Sequence, residues 1–109
     1  MCSYKTLAHT EDGYIILCNG CTSVQLAFGT TAVKFDQETF HVFIDQIKSL
    51  YEFNACNEVC KQKRIHIDVY SDTSMMLVNI IELNKLKHLV ELANFNLELE
   101  SILEENNIA

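Results

Sequence analysis

Apolar and polar positions along this chain change their period several times. Tyr4 to Thr10 and Tyr14 to Leu17 are segments of strand length, and Glu11-Asp12-Gly13 between them suits a tight reversal. Val24, Leu26 and Phe28 alternate with Gln25 and Ala27. Gly29-Thr30-Thr31 then reads as a turn before a further short strand, Ala32 to Phe35. From Asp36 the period lengthens. Phe40, Phe43, Ile44, Ile47, Leu50 and Tyr51 fall on one stripe of an amphipathic helix, and Asp36 is placed to cap it. Phe53 to Lys63 is polar and reads as a loop. Period two then returns, with Ile65, Ile67 and Val69 inward and Arg64, His66, Asp68 and Tyr70 outward. Ser71 to Ser74 is a turn cluster, Met75 to Ile80 the next strand, and a second helix starts at Ile81 or Glu82 and continues to Leu103.

Strands joined by such short turns pair antiparallel, because parallel pairing needs a crossover of about a dozen residues. The expected class is therefore α+β: a mostly antiparallel sheet with two helices over one face, in a single domain spanning residues 1–109. The two halves, 14–52 and 64–104, resemble each other. A shift of 43 positions places Phe35, Asp36, Phe40, Phe43 and Ile47 on Val78, Asn79, Leu83, Leu86 and Val90. Each half is then turn, strand and capped helix, consistent with a duplicated ββα unit or with shared helix-start grammar.

The last helix carries two apolar stripes. Leu83, Leu86, Val90, Ala93 and Leu97 make one seam, and Leu92, Phe95, Leu99 and Ile102 lie nearly opposite. Either the helix bends at Asn94-Phe95-Asn96 and folds both stripes onto one core, or it is unbroken. An unbroken helix of about 22 residues runs about 33 Å. Its far seam then meets a second copy, and this predicts a homodimer through the C-terminal helix. Glu98, Glu100, Glu104 and Glu105 around that seam read as a solvated rim.

Cysteine supplies the candidate chemistry. With Asn19-Gly20 as a two-residue hairpin loop, Leu17 faces Thr22 and Ile15 faces Val24. Cys18 and Cys21 then flank the turn and point to the other face beside Ile16 and Ser23, away from the main core. Two thiolates on a tight turn suit one Zn²⁺, with Cys56 and Cys60 as a second pair and Cys2, His9 or His66 as substitutes. Against such a four-cysteine zinc site stand the 34 residues between the pairs, the three-residue spacing of the second pair, and a glycine before the second cysteine of the first. A dithiol redox site is a further alternative. Its usual setting needs a helix after the thiol pair and a cis-proline, whereas strand-like residues follow Cys21 and the chain has no proline. Small polarizable cysteines also simply suit a turn and a packed surface.

Composition narrows the function classes. Of 109 residues, 49% are hydrophobic and 21% charged, ordinary for a globular domain. The net charge of −7 opposes binding to phosphate backbones, and Lys61, Lys63 and Arg64 are too few for a nucleic-acid footprint. No apolar run is long enough to cross a membrane. Five cysteines, an odd number, without a secretory leader point to a reducing cytoplasm. His41 and His88 sit at polar helix positions, and Asp36 and Glu38 serve the helix start. The outward row Arg64, His66, Asp68 and Tyr70 reads either as a polar binding face or as the wet side of an antiparallel sheet. Neither a phosphate-binding loop, a metalloprotease helix nor a nucleophile elbow occurs.

The run Cys18-Asn19-Gly20-Cys21, continued by Val24-Gln25-Leu26-Ala27-Phe28-Gly29 and the Phe40/Phe43/Ile47 helix, resembles a family of small uncharacterised bacterial domains, domains of unknown function. These carry a thiol pair before a short strand ending in Phe-Gly. The resemblance implies no activity and no catalytic residues. The expectation is a non-enzymatic cytoplasmic interaction or regulatory domain acting as a homodimer. The alternatives are a small zinc-stabilised domain and a dithiol redox protein.

Overall fold

The computed structural model describes residues 3–20, 23–54, 65–70 and 74–106. Strands β1 (Tyr4–Thr10), β2 (Gly13–Cys18), β3 (Val24–Phe28) and β4 (Thr31–Phe35) form a four-stranded sheet in the order β1-β2-β3-β4, antiparallel throughout. Helix α1 (Gln37–Asn54) follows. Strands β5 (Ile65–Asp68) and β6 (Met75–Val78) then pair as a second, two-stranded antiparallel sheet, and α2 (Ile80–Asn106) ends the described chain. The class is α+β.

The sheet meanders because its turns are short. β1 and β2 close at Thr10 and Gly13 around Glu11-Asp12. The glycine here serves close approach and not turn geometry. A Cβ at Gly13 would overlap the carbonyl oxygen of Ala27 on the neighbouring strand. Gly29 does supply turn geometry: at φ +59° it turns β3 into β4. In β1 the pairing slips between Thr6 and Ala8, a bulge that lets adjacent Leu7 and Ala8 both face the core.

The turn between β2 and β3 departs from the two-residue reading. Leu17 pairs with Val24 and Ile15 with Leu26, and the Cys18 N–H donates to the Ser23 carbonyl at 2.8 Å. The connection thus spans residues 19–22, two longer than Asn19-Gly20 alone. A two-residue change of register keeps every side chain on its face. Ile15, Leu17, Val24 and Leu26 still point inward under either pairing, so burial alone does not choose between them.

Both helices start on capping side chains. The Asp36 carboxylate accepts from the Thr39 N–H at 2.7 Å, and its carbonyl accepts the first helical bond, from Phe40. Asn79 and Glu82 form a reciprocal box: the Glu82 N–H donates to Asn79 Oδ1 at 2.7 Å and the Asn79 N–H to Glu82 Oε1 at 3.0 Å. That box starts α2 at Ile80 and ends β6 at Val78, so Ile80 belongs to the helix and not to the strand. Hairpin, cap and helix thus recur in order as β3-β4-α1 and β5-β6-α2.

One core joins all of these elements. Leu26 and Ile15 of the sheet, Phe40 and Phe43 of α1, and Leu86 and Val90 of α2 are all fully buried. Phe35 packs on Phe43 with ring centroids 4.8 Å apart, tying the end of β4 to α1. The second sheet enters the same core through Ile67, Met76 and Val78.

Candidate functional site

α2 is one unbroken helix of 27 residues, about 40 Å long. The alternative bend at Asn94-Phe95-Asn96 is overturned, and the two asparagines show why the helix continues. Asn96 lies beside the sheet and donates from Nδ2 to the Leu7 carbonyl at 2.6 Å, at the bulge of β1. Asn94 reaches Glu98 one turn on, at 3.5 Å. Asn96 thus bonds through its side chain, the Asn94 Oδ1 is buried without a hydrogen-bond partner, and the helix continues past both.

Three tethers fix the direction of α2. Lys85 approaches Asp12 at 3.5 Å beside the β1–β2 turn, Asn96 meets Leu7, and Glu100 pairs with Lys5. The helix therefore runs antiparallel to β1. It continues six residues beyond Glu100, about 9 Å. Leu83, Leu86, Val90, Ala93 and Leu97 are buried along its inner face. On the outer face Leu92, Phe95, Leu99 and Ile102 are exposed by 44%, 60%, 40% and 53%, and Ile81 continues the line toward the helix start at 47%. With such side chains at about 200 Å² when fully open, these five leave about 500 Å² of apolar surface. The flank bears Glu91 and Glu98, placed by their spacing along the helix.

A second polar constellation gathers where α1 meets β5. Gln46 brackets the main chain of Asp68: the Asp68 N–H donates to Gln46 Oε1 at 2.8 Å, and Gln46 Nε2 donates to the Asp68 carbonyl at 2.9 Å. A side-chain amide thus takes the place of a strand at that point of β5. Gln46 Nε2 also lies 3.3 Å from the Tyr70 hydroxyl, and the Asp68 carboxylate accepts the Tyr70 N–H at 2.7 Å. Tyr70 holds φ 58°, the left-handed region that costs a non-glycine residue of order 1 kcal/mol. Its ring meets Phe35 edge-on at 6.4 Å. Partial burial, and then the negative charge of Asp68, raise the phenol above its ordinary value of 10.0, against a smaller opposing effect of the Gln46 hydrogen bond. Tyr70 therefore stays a neutral phenol at physiological pH. His66, Asp68 and Tyr70 are exposed in the outward row expected of them, and Arg64 lies outside the described residues. Gln46 was not among the residues the sequence singled out. Its partner lies 22 positions away, and no local pattern signals the pairing.

Of the four proposed zinc ligands, Cys18 is described, while Cys21, Cys56 and Cys60 lie outside the described residues, as does Cys2. Cys18 is a free thiol on the outer face of β2 with Ile16. It is nevertheless only 2% exposed and counts among the buried core residues, so the expectation that this thiol stands away from the core is not met. Among the described residues no group of three or more His, Cys, Asp or Glu side chains is arranged to hold a metal ion. A cleft of about 310 Å³ opens between the β1–β2 and β3–β4 turns and the start of α2, lined by Glu11, Asp12, Phe28, Gly29, Glu82 and Lys85. Glu82 there is engaged in the helix cap and Lys85 with Asp12. No described helix is long and apolar enough to cross a membrane.

These observations define a small α+β domain with two hairpin–helix units, one helix of which keeps a second apolar face in solvent. The family model described as "Family of unknown function (DUF6686)" matches residues 1–109, and the chain belongs to that family. Comparison with curated proteins and with solved structures gives no match.

Proposed function

We propose that the chain is a non-enzymatic interaction domain whose working form is a homodimer held by the outward seam of α2. The observation that carries this is the row Leu92, Phe95, Leu99 and Ile102, exposed along a helix whose opposite face already fills the core. Isolated exposed apolar residues need no explanation, but a continuous stripe at helical spacing does. Two such rows facing each other remove about 800 Å² of apolar surface, which the polar flanks extend toward the roughly 1,000 Å² that a specific interface needs. The inner residues cannot turn outward to share the load, because Asn96, Lys85 and Glu100 fix the helix's rotation on the sheet. Five cysteines in one short chain support a reducing, cytoplasmic setting.

Light scattering after size exclusion, across the micromolar range, tests the reading. The expected mass is twice 12.5 kDa. Phe95→Asp is expected to give the single-chain mass with an unchanged circular dichroism spectrum. A wild-type chain that stays monomeric overturns the proposal. A native mass spectrum of the same sample also reads bound metal; a zinc-bearing mass would move the reading toward a site built on Cys18, Cys21, Cys56 and Cys60.

A further inference from the structure

We infer that the free edge of β6 is a second self-association surface, where β6 of another copy adds antiparallel about a two-fold axis at Met76. The two hairpins then form one continuous sheet. This contact is separate from the α2 seam and rests on that reading only for the size of the assemblies it builds.

The main chain sets which groups the edge presents. Asp68 turns both its N–H and its carbonyl to Gln46, away from β6. The Asp68–Met75 pair is therefore of the non-hydrogen-bonded kind, and alternation makes His66–Leu77 the same. Met75 and Leu77 thus direct their N–H and C=O groups away from β5. Among the described residues β6 pairs with β5 alone, and no other group bonds to these.

The other strand edges of the molecule are guarded. β1 carries Lys5, a bulge, and the Asn96 side chain on its Leu7 carbonyl. β4 carries the exposed Lys34. β5 is closed at Asp68 by Gln46. Shortness is the one guard of β6, whose residues Met75–Val78 hold no charge, no proline and no bulge. β6 is also apolar at every position, the pattern of a strand covered on both faces, although Met75 and Leu77 are 60% and 45% exposed.

A second β6 is the complement that this edge fits. With Met76 on the axis, Met75 lies opposite Leu77 of the other copy, and Leu77 opposite its Met75. Every outward N–H then meets an outward carbonyl. Met76 lies beside its own equivalent on the inner side, Met75 beside Leu77 on the outer side, and no charge enters the contact. A strand alternating apolar and polar residues would match one side only. Met75 and Leu77 leave about 200 Å² of side chain open on each copy, so pairing removes about 400 Å², below the roughly 1,000 Å² of a stable dimer. Alone the contact forms only in concentrated solution. Between chains already paired through α2 it builds larger assemblies.

Sedimentation velocity from micromolar to millimolar concentration, with charge-swapped chains, tests the contact. Wild type is expected to pass from dimer to larger species as concentration rises. Met75→Glu/Leu77→Glu should lose those species, because the introduced carboxylates face each other in this register. Met75→Lys/Leu77→Lys should lose them likewise, and an equal mixture of the two variants should regain them. Both positions are exposed, so the variants keep the fold, which circular dichroism checks. A wild type that stays dimeric to millimolar concentration overturns the edge contact with the α2 reading intact. Larger species that survive in each charged variant alone overturn it as well. A wild type that is monomeric at micromolar concentration overturns the α2 reading instead. The edge contact then stands if the chain pairs at millimolar concentration and the charged variants pair only when mixed, and falls otherwise. Hydrogen exchange gives the residue-level readout. The Met75 and Leu77 amides should gain protection with concentration, whereas those of Met76 and Val78 are protected throughout. Should they respond only to a synthetic peptide of residues 74–79, the edge takes a separate extended segment and the inference fails.

Discussion

α1 and α2 begin alike and end differently. Each follows a strand, starts on a capping side chain and buries an apolar stripe against the same core. In α1 that stripe, Phe40, Phe43, Ile44 and Ile47, is the only sustained one. Val42 and Phe53, its exposed large apolar residues, stand eleven positions apart. In α2 a second stripe repeats the first on the opposite side. A helix polar outside is complete once packed on its sheet, whereas one apolar all round is normally buried all round. The difference marks α2 as the helix that keeps a second apolar stripe exposed.

Truncation breaks the comparison most sharply. Leu86→Ala, on the inner face of α2, is expected to cost about 3 kcal/mol, and Phe43→Ala on α1 about 4 kcal/mol, since each leaves a cavity in a fully buried setting. Phe95→Ala is expected to change the fold of the single chain by less than about 0.5 kcal/mol, as surface substitutions do. If the proposed homodimer forms, its cost is expected instead as a loss of the concentration dependence that dimerisation would give to unfolding. Urea denaturation at two protein concentrations measures all three. Should Phe95→Ala lose as much as Leu86→Ala at every concentration, the second stripe belongs to the chain's own core.

A smaller effect sharpens what α1 does in place of an outward seam. Its Gln46 holds β5 by both main-chain groups of Asp68, and so ties the second hairpin to the first half. Gln46→Ala leaves those groups to solvent at a cost of about 1 kcal/mol, because the site is exposed and water replaces part of what is lost. Hydrogen exchange gives the specific readout. The Asp68 amide should lose protection while amides of the β2–β3 pair keep theirs. Unchanged exchange at Asp68 would show that the amide bracket holds nothing in place.

These elements were legible in the sequence to unequal degrees, and the reason is range. Asp36 and Asn79, with the stripes that follow them, announce themselves within a few residues because capping and helical periodicity are local. The two faces of α2 were visible for the same reason. Asn19-Gly20 signalled a reversal but not its length, since pairing Leu17 with Thr22 or with Val24 buries the same side chains. Nor did the sequence show that Asn96 satisfies a carbonyl freed by a bulge 89 positions away, so Asn94-Phe95-Asn96 read equally as a break. The bracket of Gln46 on Asp68 had no local trace at all. Of the cysteine site, only Cys18 falls on a described strand, and it is buried where the pattern placed it on an outward face.

The caps provide the finest distinction between the helices. Hydrogen bonds from the Thr39 main chain and then its side chain hold the Asp36 carboxyl below its ordinary value of 3.8, with a small opposing effect of desolvation. A lowered folded value means that the unfolded chain takes up the proton first. The contribution is therefore complete above about pH 5, and is lost as pH falls through 3.8 toward the folded value. Asp36→Asn keeps a good capping acceptor without the charge, so its acid limb should be shallower than wild type while its stability near neutrality changes little. Asp36→Ala removes the acceptor and should lower the urea midpoint at every pH. Tyr70 works in the opposite direction. Its raised value makes a contribution present below pH 10 and lost as pH rises above it, so Tyr70→Phe should flatten the alkaline limb alone. Urea midpoints from acid to alkaline pH for the wild type and these variants resolve the two limbs. If Asp36→Asn followed the wild-type acid limb without divergence, the carboxylate's charge would contribute nothing to starting α1. The two helices would then differ in their outer faces alone.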